Sequence, residues 1–222
     1  MTRGGGRLLP LALPGPAGPL EAVLREPEGG AHDLIAVVCH PHPLYGGTLN
    51  NKVVHRTAAT LHELGAAVLR FNFRGVGRSA GRHDQGAGEL DDARAAMEYL
   101  RARHPRARSW IAGFSFGALI AARLAAADRG IGQLIMIAPP VQDSDFRPLR
   151  TARVPKLVVQ GTADELCPPA AVETQFQTWS EPKRLVWIEG ASHFFDKRLG
   201  ALSQALVEAL AAAAKGGASC ST

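Results

Sequence analysis

The sequence predicts an α/β protein whose mostly parallel sheet is covered by helices on both faces. Three observations carry that expectation. Short continuous apolar runs, such as LIAVVCH over 34–40 and PKLVVQG over 155–161, have the length and branched-chain content of buried strands. These runs alternate with stretches of helical spacing, the pattern of repeated βαβ units. The chain, 222 residues long, 46% hydrophobic and 20% charged, suffices for one sizeable core and is short for two.

Taken in order, RLLPLAL (7–13) and LEAVLREP (20–27) flank a Pro-Gly-Pro-Ala-Gly-Pro turn and read as an antiparallel edge hairpin. Strand 34–40, helix 51–65, which ends at a glycine, and strand 66–75 form the first βαβ unit. Helix 89–103, strand 108–114, helix 117–128 and strand 132–140 continue the alternation. A link from Ala138 to Pro155 leads to strand 155–161, helix 169–180, strand 183–190 and a final helix over 195–214. In that helix Leu199, Leu202, Leu206 and Leu210 fall at three- and four-residue steps, a stripe suited to packing on a sheet. Every strand of such a doubly covered sheet is expected to be buried on both faces. Residues 1–215 are read as one domain, and the polar 216–222 as a disordered tail.

Composition narrows the function classes. A net charge of +5 could suit a polyanion, but the arginines are scattered and no nucleic-acid-binding module is present, so no nucleic-acid partner is expected. No run reaches the roughly 18 apolar residues of a membrane span, and the proline-broken N-terminal run is too short for a signal h-region. Cys39, Cys167 and Cys220 are an odd number without a CxxC pair, which fits a reduced, cytoplasmic chain, monomeric or homodimeric.

The chemistry centres on Gly113-Phe114-Ser115-Phe116-Gly117, at the junction of a predicted strand and helix. Gly-x-Ser-x-Gly there is the signature of a nucleophile elbow: the turn strains the serine, and the glycines remove β-carbons that would collide with neighbouring backbone. A serine hydroxyl needs a base, and the base an orienting carboxylate. His193 is the single histidine after Ser115 and follows the last predicted strand, on the sheet edge where loops gather. Asp164, just past strand 155–161, is the favoured acid; Asp143 and Asp145 are alternatives, Glu165 is a bland neighbour, and Asp196 is expected to cap the last helix.

Two N–H donors are needed for a tetrahedral oxyanion. Phe116 supplies the first candidate and the backbone of His42, in HPHPLYGGTLNN, the second, since Pro41 and Pro43 have no N–H. Leu44 and Tyr45 in the same loop are candidate substrate contacts, as are His83 and Asp84 in RGVGRSAGRHDQGAG, a loop whose glycine spacing fits no phosphate-binding motif. His40, His42 and His193 could be read as a metal cluster, but no matching carboxylate or cysteine ligand accompanies them, and no metal is expected. Cys167 could be a reactive thiol, or part of a structural turn with its neighbouring prolines.

In order along the chain, CHPHPLYGGTLNNKVV, VLRFNFRGVGRSAG, IAGFSFGA, IAPP, VVQGTADE and ASHFF resemble the α/β-hydrolase superfamily, and within it small lidless bacterial serine hydrolases related to the dienelactone-hydrolase branch. The resemblance runs from about Leu34 to Ala214 and implies a Ser115–His193–Asp164 triad, esterase-like activity and no cofactor. Dienelactone hydrolases proper carry cysteine at the elbow, so the serine here departs from them. The 138–155 link is too short for a cap domain, which implies an open site for short-chain acyl esters or thioesters. A slow or non-catalytic small-molecule-binding protein, and a peptidase or perhydrolase using the same residues, are the alternatives.

Overall fold

A computed structural model describes residues 6–28 and 32–215; the tail expected to be disordered lies outside the described residues. Eight strands form one sheet in the order β1-β2-β4-β3-β5-β6-β7-β8. The edge hairpin β1 (Arg7–Leu13) and β2 (Leu20–Glu26) is antiparallel, as is the junction of β2 with β4 (Ala67–Phe71). From there β4, β3 (Leu34–Cys39), β5 (Arg108–Phe114), β6 (Ile131–Ile137), β7 (Lys156–Gly161) and β8 (Lys183–Ile188) run parallel.

Alternation along the strands builds two cores. In β3, Ile35, Val37 and Cys39 face one cluster while Leu34, Ala36 and Val38 face the other, as side chains pointing to opposite sides of a pleated strand must. The first cluster lies beneath α2 (Ala87–Arg103), α3 (Phe116–Ala127) and α4 (Pro169–Thr178); the second lies beneath α1 (Lys52–Glu63) and α5 (Leu199–Ala214). Burying each Leu, Ile or Phe here contributes roughly 1.5–3 kcal/mol. Asn51 starts α1 by accepting the Val53 N–H at 2.9 Å, which satisfies one of the helix's orphan donors. Burial on both faces holds for β3, β4 and β7, but the end strands β1 and β8 are partly exposed, because a sheet edge has a neighbour on one side alone.

Three expected boundaries move by three residues or more. The strand expected over 66–75 stops at Phe71, and the one over 132–140 stops at Ile137, where Ala138 turns to φ +46 before two prolines without N–H groups. The final helix begins at Leu199 and not at 195, because Phe195 (φ +52) and Lys197 (φ +59) adopt left-handed backbone that no helix tolerates. Phe195 is fully buried, and its burial fixes this tight turn. Asp196 accordingly caps nothing; the residue before the helix is Arg198, and Asp196 pairs with Lys52 of α1.

Candidate functional site

The carboxyl ends of β3, β5, β7 and β8 open onto a cavity of about 590 Å³ lined by Ser115, His193, Cys167, His42, His83 and Arg123, among others. A larger cavity of about 750 Å³, beside Arg129 and Arg153 near the amino ends of β6 and β7, has no histidine or cysteine in its lining.

Ser115 stands between β5 and α3 with φ 54 and ψ −120, a conformation that costs a non-glycine residue on the order of 1–3 kcal/mol. The flanking glycines make the bend possible. A β-carbon on Gly113 would lie 2.0 Å from the Gly117 carbonyl oxygen, and one on Gly117 would lie 2.4 Å from that of Cys39 in β3. The Ser115 N–H donates to the Ile137 carbonyl at 2.9 Å, which holds the bend against β6.

Asp164 and His193 meet. His193 Nδ1 lies 2.9 Å from Asp164 Oδ2, and both side chains are buried. The acid is held by its own loop: Oδ1 accepts the Leu166 N–H at 3.0 Å and the Cys167 N–H at 2.8 Å, an aspartate turn. Gln160 Nε2, at the end of β7, donates to Oδ2 at 3.0 Å. With four donors on it, the carboxylate has a single orientation. The neighbouring loops are tied as well, since Ala163 N–H donates to the Ala191 carbonyl at 3.0 Å. His193 packs on Phe114 at 5.0 Å between ring centroids. Among the described residues no hydrogen bond joins Ser115 Oγ to His193, although both line the same cavity. Gln160 was missed from sequence; its signal was an amide directly after the apolar run Leu157–Val159 of β7.

Of the alternative acids, Asp145 is exposed and paired with Arg147 at 2.9 Å, which holds its carboxyl down at about 2, and neither Asp143 nor Glu165 pairs with a histidine among the described residues.

The loop after β3 contains a 3-10 turn over Pro43–Tyr45 capped by His42. Leu44 N–H donates to His42 Nδ1 at 3.2 Å and Tyr45 N–H to the His42 carbonyl at 3.1 Å. The N–H groups of His42 and Phe116 have no acceptor among the described residues. Tyr45 lines the cavity; Leu44, a third of a turn away, is exposed and does not. His40 serves the scaffold: Nε2 accepts the Phe73 N–H at 3.0 Å and Nδ1 lies 2.6 Å from the Pro41 carbonyl oxygen, while burial pushes its pKa down to about 4. Burial, and then the nearby His83, lowers His42 as well.

His40 and His42 do not gather with His193. The ligand-type atoms that do come together are those of Asp164, Cys167 and His193, within 4.8 Å of one another. Cys167 is no activated thiol: burial, followed by the charges of Asp164 and Asp143, pushes it up to about 12.

No helix among the described residues is long and apolar enough to cross a membrane. Over residues 37–194 the chain matches the family described as the alpha/beta hydrolase fold. An α/β serine hydrolase without lid from Xanthomonas campestris is 43% identical, with a TM-score of 0.85 over 92% of this chain and 94% of that one. An α/β serine hydrolase homologue from Coxiella burnetii is 42% identical, with a TM-score of 0.85 over 95% and 99% of the two chains. An uncharacterized protein of Rickettsia prowazekii is 40% identical over 78% of this chain and 76% of its own length. With a serine on the sharp bend after β5 and a buried imidazole–carboxylate pair beside it, the chain belongs to the α/β-hydrolase family.

Proposed function

We propose that the protein hydrolyses carboxylic esters of short acyl chains through an acyl-serine intermediate. The observation that carries the reading is the buried His193–Asp164 pair at 2.9 Å, which shares a cavity with Ser115 on its strained bend. Asp164 accepts a hydrogen bond from Nδ1–H, so the Nε2 lone pair is the one available to take the Ser115 proton as Oγ attacks the acyl carbon. Serine–imidazole contacts are commonly long without substrate and shorten when it binds.

The resulting oxyanion meets the free N–H groups of Phe116 and His42, and the amino end of α3 adds its positive dipole. His193 then passes its proton to the leaving alcohol, and water, deprotonated by the same imidazole, releases the acid. Atoms and charge balance without a cofactor. The relation to lidless serine hydrolases supports an open site reached by small esters or thioesters.

Ser115→Ala is expected to abolish p-nitrophenyl butyrate hydrolysis shown by the wild type, and a fluorophosphonate probe should add its mass at Ser115. A wild-type protein that neither labels nor turns over any ester or thioester in a broad panel would overturn the proposal in favour of a small-molecule-binding protein.

A further inference from the structure

A second imidazole rests on a second buried carboxylate in the same cavity. His83 Nδ1 lies 2.9 Å from Glu89 Oε1, and the Glu89 side chain is 0% exposed. Glu89 also accepts the Asp84 N–H at 2.9 Å and the Gly86 N–H at 2.7 Å. Capping of α2 accounts for the Gly86 contact, since Glu89 stands at the third helical position. It does not account for the histidine. The loop that carries His83 is itself fixed, because Arg74 donates to Asp92 of α2 through both its guanidinium and its backbone N–H, at 2.8–3.0 Å.

A carboxylate accepts, so in the neutral imidazole the proton sits on Nδ1 and the Nε2 lone pair is left over. Nε2 has no hydrogen-bond partner among the described residues, and the ring lines the cavity that holds Ser115. It packs on His42 at 5.0 Å and on Phe116 at 5.9 Å between ring centroids. His193, by contrast, packs on Phe114, on the other side of Ser115 in the chain. In the ester-hydrolase reading the leaving oxygen collects its proton from His193, which places the alcohol of an ester on that side and directs the acyl chain towards His83.

We propose that His83, oriented by Glu89 as a positioning residue, accepts a hydrogen bond from a hydroxyl group on the acyl chain, so that the substrates are hydroxyacyl esters. The inference rests on the ester-hydrolase reading. An acceptor in the cavity wall rewards a hydroxyl and penalises its absence, because an unsubstituted chain lying over it leaves the lone pair desolvated without a partner.

The experiment compares kcat/KM for p-nitrophenyl 3-hydroxybutyrate and p-nitrophenyl butyrate. The wild type is expected to favour the hydroxylated ester by about tenfold, the scale of one hydrogen bond. In His83→Phe the ratio should fall to about one. Glu89→Gln keeps the shape and the Gly86 contact, but the NH2 group standing in for Oε1 can donate to Nδ1 and move the imidazole proton to Nε2, at the loss of the Asp84 N–H contact. The ratio should fall there too, with the thermal midpoint used to verify folding. A wild-type ratio near one, or a ratio that survives in the folded variants, overturns the proposal. So does a wild-type preference for the succinyl half-ester that is lost on substitution, since His83 would then serve an anion. Labelling of Ser115 by fluorophosphonate with a flat ratio sinks this inference alone; no labelling and no turnover sinks the ester reading with it.

Discussion

Two walls of one cavity present the same chemical pair in different housings. Asp164–His193 and Glu89–His83 are each a buried carboxylate 2.9 Å from an imidazole Nδ1. Asp164 is held by a strand-end amide and two backbone N–H groups of its own loop, whereas Glu89 shares its oxygens with the start of a helix. The pair therefore does not define a role. What separates them is placement about the bend at Ser115: His193 packs on the preceding Phe114, His83 on the following Phe116. In the proposed ester hydrolysis, an imidazole on the first side serves the attacking and leaving oxygens, and one on the second meets the acyl chain.

The strongest way to break this comparison is to make the same change on each wall. Asp164→Asn should lower kcat by about 10³–10⁴-fold, since an amide at that position favours the wrong imidazole tautomer. The matching Glu89→Gln is expected to act chiefly on selectivity. Steady-state kinetics on folded protein checks both, and equal losses in kcat would erase the distinction between the walls.

A smaller effect distinguishes the scaffolds beneath them. His40 ties the loop of the second wall to Phe73, and burial holds its pKa at about 4 against 6.5 for a free imidazole. The unfolded chain takes up this proton as pH falls through 6.5, while the folded chain stays neutral down to about 4. Stability contributed by neutral His40 is thus complete above that window and is lost on acidification through it, by roughly 3 kcal/mol at most. Urea midpoints at pH 7.5 and 4.5 should fall further in the wild type than in His40→Gln; parallel losses would remove His40 from the account.

The smallest effect sharpens the first wall. With its thiol at about 12 and its side chain buried, Cys167 has only about one part in ten thousand as thiolate at pH 8, and iodoacetamide should leave it unmodified in the native protein. Peptide mapping by mass gives the answer, and rapid labelling would show that this wall opens in solution.

Much of this was legible in the chain. The strand-helix alternation is decided by local apolar runs and spacing, so the element order emerges correctly, as does the Gly-x-Ser-x-Gly bend, whose steric demand is local. The turn at Phe195 was not legible, because a residue adopts left-handed backbone there only when a core exists to receive its ring. Gln160 and Glu89 were missed for a related reason: each acts on a partner that the fold brings near, in the case of Gln160 across a loop and in that of Glu89 onto a histidine whose direction spacing does not set.

By itself the sequence determined the α/β alternation, the identity of the strained serine and, by elimination, the candidate histidine, because periodicity, glycine sterics and the scarcity of histidines after Ser115 require no third dimension. Only the tertiary structure decided that Asp164 and not Asp143 or Asp145 meets His193, that His40 turns inward while His42 lines the cavity, and that a second histidine–carboxylate pair shares the site. The physical reason is that hydrogen-bond geometry and burial depend on distances between segments remote in the chain, and those distances are set when both faces of the sheet are packed.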